Sequence, residues 1–146
     1  MWLDRLLSGP TIQSLELTAR FAELRQRVLA ENLANVDTPG YQFKSLDTAR
    51  FQSALHDALQ ASRSSPRPQA LNLRGGTEVR SRAGGGLDIT PSTEPADNVL
   101  FHDGTNTRVE RLMAEINANA LSYELATSLL RGKFETLLRA VRGRVT

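Results

Sequence analysis

From Asn106 to Arg142 the chain holds one run without proline and with a single glycine, Gly132. Within it Val109, Leu112, Ile116, Asn119, Tyr123, Ala126, Leu130, Lys133 and Leu137 follow one another at alternating steps of three and four. That is the heptad spacing of a helix with one apolar seam. A second line, Phe134, Leu138, Val141 and Val145, widens the seam near the end. A helix over this span is about 55 Å long at 1.5 Å per residue. A compact globule of this size has a radius of gyration of only about 15 Å. The expected molecule is therefore elongated. The stretch around Leu130, Phe134, Leu137 and Leu138 is its most apolar part and is expected as the innermost packed layer. Asp103-Gly104-Thr105-Asn106-Thr107 supplies start signals for this helix. Gly132 is its weak point, at a cost of about 1 kcal/mol. Arg131, Lys133, Arg139, Arg142 and Arg144 bring cations to the negative helix end, suited to dipole complementation or to ion pairs with neighbouring subunits.

The N-terminal flank is also free of helix breakers between Thr11 and Val36. Leu17, Phe21, Leu24 and Val28 mark one face, and Leu29, Leu33 and Val36 a neighbouring one. Pro10 fits a first helical turn, with Ser8 or Thr11 as candidate caps. A shorter helix is expected after Ser45, its cap, with Phe51, Leu55, Ala58 and Leu59 on one face, fading near Ser62. Residues 61–104 hold six of the ten glycines and four of the six prolines. Such a segment is irregular: flexible, or carrying short β-strands that order against a partner. The expected class is thus mainly α, with long N- and C-terminal helices pairing as a coiled coil around a Gly/Pro-rich middle. The expected divisions are 1–44, 45–105 and 106–146. Two helices bury too little surface alone, so assembly is expected.

Composition removes whole classes of function. With no cysteine among the 146 residues there is no thiolate chemistry and no Cys-ligated zinc. Two histidines leave little room for imidazole metal sites. A net charge of +2 is too weak a field to argue for nucleic acid. Ser53, His56 and Asp57 include the residue types of a catalytic triad but radiate from one helix without oxyanion donors. Gly84-Gly85-Gly86 lacks the Gly-Lys-Ser/Thr of a phosphate loop and reads as a linker. His102 beside Asp103 makes no metal site alone. No cofactor, metal or small-molecule substrate is expected, and no catalysis. The start of the chain lacks the uninterrupted apolar core of a cleavable secretory signal, so the expectation is a cytoplasmic chain or export by a route that reads no such signal.

One string is specific. Glu31-Asn32-Leu33-Ala34-Asn35-Val36-Asp37-Thr38-Pro39-Gly40-Tyr41 ends the first helix and enters a tight turn. Pro39 presets φ for the second position of a turn, and Gly40 supplies the positive φ that a type II turn needs next. Thr38, before proline, is pushed out of the helical region. Asn32 and Asn35 are placed to bond the freed carbonyls at the helix end. Read alone, the string is a well-made turn. It also resembles the N-terminal signature of the bacterial flagellar rod and hook proteins, with Asn32, Asn35, Thr38, Pro39, Gly40 and Tyr41 as the motif residues. The length fits the short proximal rod members. Leu3-Asp4-Arg5-Leu6, Asp103-Gly104-Thr105-Asn106, Asn119 and Tyr123 resemble them as well.

The resemblance implies a structural subunit of the proximal rod of the basal body. It implies terminal helices packed along Leu17, Phe21, Leu24, Val28, Val109, Leu112, Ile116, Tyr123, Leu130, Phe134 and Leu137. It implies export through the flagellar type III apparatus and a periplasmic location. The partners implied are other copies of the chain, the rod proteins FlgC, FlgF and FlgG, and FliE and the MS ring at the rod base. The alternative from the residues alone is a coiled-coil adaptor unrelated to flagella.

Overall fold

The computed structural model describes residues 9–65, 71–73, 79–82, 86–93 and 104–143. Helix α1 spans Pro10–Ala34, α2 Thr48–Ser64 and α3 Gly104–Val141. Four short strands accompany them: β1 Lys44–Ser45, β2 Val79–Arg82, β3 Gly86–Ile89 and β4 Ser92–Thr93. β2 and β3 form an antiparallel hairpin with Val79 opposite Ile89, and β1 pairs antiparallel with β4. The chain is mainly helical, and its two long terminal helices pack together. Among the described residues no helix is long and apolar enough to cross a membrane.

The helix starts depart from expectation. α1 begins at Pro10 behind Gly9, with no side-chain cap, and Thr11 lies inside the helix. Proline at the first helical position removes one of the amide hydrogens that a helix start leaves unpaired, and its fixed φ suits the first turn. α2 is capped by Asp47, whose carboxylate accepts from the Arg50 amide at 3.0 Å. Ser45, the expected cap, sits in β1, and its hydroxyl meets that of Ser92 at 3.2 Å. An anionic cap is favoured at the positive helix end, and strand pairing holds Ser45 elsewhere. α2 runs two residues past the expected Ser62.

α1 carries two faces. Leu17, Phe21 and Val28 are buried in one cluster with Leu46, with Phe51, Ala54 and Ala58 of α2, and with Leu71 and Leu73. Phe21 and Phe51 stack with ring centres 4.0 Å apart. The Leu71 amide donates to the Gln13 side chain at 2.8 Å, which ties the Leu71–Leu73 segment to α1. Ala22 and Leu29, one heptad apart, are buried outside that cluster. Their side of α1 also carries Arg25 and Gln26 and faces α3. The Leu17–Val28 line was expected to join the two terminal helices; α2 and the Leu71–Leu73 segment occupy it instead. A helical period reports that a face is buried, and both faces of α1 have that period.

Candidate assembly interface

α1 and α3 run antiparallel. Arg25 pairs with Glu115 at 3.2 Å, and the Asn119 amide donates to the Ala22 carbonyl at 2.8 Å and to the Gln26 side chain at 2.9 Å. A step toward the start of α1 is therefore a step toward the end of α3. Leu112 and Ala126 are buried one heptad to either side of Asn119, which is itself only 4% exposed. Asn119 fixes the register, because sliding by one residue would leave its buried amide unpaired. Glu115 also accepts from Arg111 at 3.1 Å, so one carboxylate links two arginines across the helix pair.

The same register sets Pro10 about level with Arg131. The rest of α3 then continues roughly 15 Å past the start of α1. Here the structure departs from the expected innermost layer. Leu130 and Leu137 are only partly buried, and Phe134, Leu138 and Val141 are exposed. Within one chain the innermost packing is the Phe21–Phe51 cluster, because α1 has no residues left to cover the end of α3. Of the other expected seam residues, Val109, Ile116 and Leu24 are half-buried, while Tyr123 and Lys133 are exposed.

The turn after α1 is built as a clasp. The Tyr41 amide donates to the Thr38 carbonyl at 3.2 Å, closing a turn over Pro39 and Gly40, and Gly40 has φ +76°. The Asn35 side chain donates to the Glu31 carbonyl at 2.8 Å. Asn32 does something else. Its amide nitrogen donates to the Lys44 carbonyl at 2.7 Å, and its oxygen accepts from the Lys44 amide at 3.0 Å and from the Tyr41 hydroxyl at 3.1 Å. The expected bond from Asn32 to the helix-end carbonyls is replaced by this reach across the loop. The carboxamide stands in for a neighbouring strand and offers Lys44 both a donor and an acceptor. Lys44 also pairs with Glu31 through its ammonium. Lys44 opens β1, so the clasp sets where the chain leaves α1 for the core. Desolvation, then the Glu31 carboxylate, hold the Tyr41 hydroxyl above its ordinary value of 10.0, while Lys44 works against them. The hydrogen bond to Glu31 raises Lys44 above 10.5.

Among the described residues no convergent group of catalytic side chains accompanies this surface. Ser53, His56 and Asp57 are all exposed on α2. Among the described residues no group of three His, Cys, Asp or Glu is placed to hold a metal ion. Gly84, Gly85, His102 and Asp103 lie outside the described residues, as do Ser8, the Leu3–Leu6 string, Arg144 and Val145. Leu71 and Leu73 are core residues that the sequence reading missed. Their signal was the alternation Leu71-Asn72-Leu73 between Pro68 and Gly75, too short to stand out.

The family model described as flagella basal body rod protein matches residues 22–42, from Ala22 at the Asn119 contact to just past Tyr41 of the clasp. The flagellar basal body rod protein FlgB of Bacillus subtilis (strain 168) is 30% identical over 139 residues, covering 94% of this chain and 97% of that protein. FlgB of Escherichia coli (strain K12) is 30% identical over 144 residues, covering 96% and 97%. FlgB of Borrelia hermsii is 31% identical over 133 residues, covering 85% and 92%. The chain belongs to the FlgB family of flagellar basal body rod proteins. The FlgB similarity takes in both terminal helices and the middle, so it is not confined to the turn string. Such a family is structural, and the exposed apolar surface of α3 suits it.

Proposed function

We propose that this chain is a structural subunit of the proximal rod of the flagellar basal body and performs no catalysis. It reaches the periplasm through the flagellar type III export apparatus and packs there with its own copies and with FlgC, FlgF and FlgG. FliE and the MS ring meet it at the rod base. No cofactor, nucleic acid or small-molecule substrate enters this function. The carrying observation is the long α3, whose far end and outer face keep apolar residues in water while similarity to FlgB rod proteins extends over nearly the whole chain. Exposed apolar surface of this extent marks an interaction site. Full-length similarity also speaks against the adaptor reading.

The test is deletion of the gene, with complementation by the intact chain. Cells without it should not swim, and electron microscopy of their isolated basal bodies should find rings without rods. Complementation should restore both, and a tagged chain should co-purify with the basal body. Swimming cells with intact rods after deletion would overturn the assignment.

A further inference from the structure

α3 exposes two apolar patches. Leu121, Leu125 and Leu129 form one at steps of four, with Leu121 66% and Leu125 62% exposed. Phe134, Leu138 and Val141 form the other, with Leu138 54% exposed. At 3.6 residues per turn the two patches point close to opposite directions, and their centres are about 20 Å apart along the helix. The second patch flanks the Leu130–Leu137 line, which continues the α1-facing side of α3 beyond the point where α1 ends. The first lies on a side of α3 that α1 does not cover.

Charge divides the helix in the same way. From Val109 to Leu129 three glutamates, Glu110, Glu115 and Glu124, accompany one arginine, Arg111. From Leu130 to Arg142 the four cations Arg131, Lys133, Arg139 and Arg142 accompany one glutamate, Glu135. Each patch therefore sits in a segment of opposite sign to the other.

These features select among the ways two copies can meet. A symmetric pair through the Leu125 patch leaves the Leu138 patch in water. A symmetric pair through the Leu138 patch sets one cationic segment against another. Head-to-tail contact buries both patches and opposes unlike charges. Such a contact is heterologous: every copy added leaves one patch of each kind free, and growth does not stop at two. Resting on the rod assignment and deepening it, we infer that a second copy of this chain docks its Leu138 patch on the Leu125 patch of the first. Gly132 adds a detail. A Cβ there would meet nothing within 4 Å in the single chain, so nothing inside the chain calls for a glycine at that position.

The natural absence of cysteine makes the test clean. Leu125→Cys and Leu138→Cys are made in separate full-length chains, purified, mixed and joined with a short bismaleimide. The mixed 125–138 product should exceed either like-to-like product about tenfold, equivalent to a preference of about 1.4 kcal/mol. Leu121→Cys with Phe134→Cys repeats the measurement should either first variant fold poorly. A chain carrying both cysteines should give a ladder of oligomers. Like-to-like products in equal or greater yield, a doubly substituted chain that stops at dimer, or no product above the denatured control would each overturn the inference. Complementation by the unmodified chain reports separately on the rod assignment, so either can fail without the other.

Discussion

Replacing Asn32 by alanine removes three hydrogen bonds at once: one donated to the Lys44 carbonyl and two accepted, from the Lys44 amide and the Tyr41 hydroxyl. A typical net contribution is about 1 kcal/mol per bond. Asn32 is 3% exposed, so the groups it abandons are not simply returned to bulk water. Each buried group left unpaired costs about 1–3 kcal/mol. Lys44 is half-buried, so water recovers part of that loss. The expected destabilisation is about 2–4 kcal/mol, a large share of the roughly 5–15 kcal/mol available to a domain. The assay is urea unfolding of the purified chain followed by far-UV circular dichroism, with the midpoint compared at constant slope. Tyr41→Phe deletes only one of the three bonds and should cost about 1 kcal/mol. Asn32→Asp keeps the acceptor but turns a carboxylate oxygen toward the Lys44 carbonyl, so it should fall nearer to alanine than to wild type. A loss below about 0.5 kcal/mol for Asn32→Ala, the scale of an ordinary surface substitution, would refute the clasp as a stabilising device. So would equal losses for Asn32→Ala and Tyr41→Phe.

Gly40→Val places a β-branched residue at φ +76° and should cost about 1–3 kcal/mol in the same urea assay, with all three helices kept; an unchanged midpoint would mean that the turn relaxes freely. Gly132→Ala meets open space in the chain and should raise helix stability by up to about 1 kcal/mol, read as a higher thermal midpoint, and a lower midpoint would point to a contact unseen in the fold. Asn119→Ala should cost about 1–3 kcal/mol, since it deletes one buried and one partly buried hydrogen bond between α1 and α3; the expected signature is faster hydrogen exchange in both helices together, and a change confined to α3 would count against register locking. Tyr41 and Lys44 both have folded values raised above 10.0 and 10.5, so the stability they contribute is complete below those values and is lost as pH rises through the folded ones. Unfolding midpoints should therefore fall above about pH 10, and less steeply in Tyr41→Phe; identical slopes for the two proteins would remove Tyr41 from the account.

Local rules made much of this protein legible from its residues. The absence of proline and the run of steps of three and four are enough for α3, since helix formation depends on contacts between residues three and four apart. The Pro39-Gly40 turn is likewise local: φ is preset at one residue and positive at the next, and the turn bond from Tyr41 to Thr38 follows. The long motif string around it carried the family resemblance, and full-length similarity to FlgB proteins agrees with it. Tertiary structure decided what each buried face is buried against. Leu17, Phe21 and Val28 have the same period whether the partner is α3 or α2, and only the path through β1 brings Phe51 onto Phe21. Asn32 sits at a helix end, where a bond to a nearby carbonyl and a reach across to Lys44 read alike. The choice between Ser45 and Asp47 as a cap turned on Ser92, a residue far along the chain. The apolar end of α3 reads as core in the sequence and lies in water in the single chain, because periodicity carries no record of where a partner helix stops.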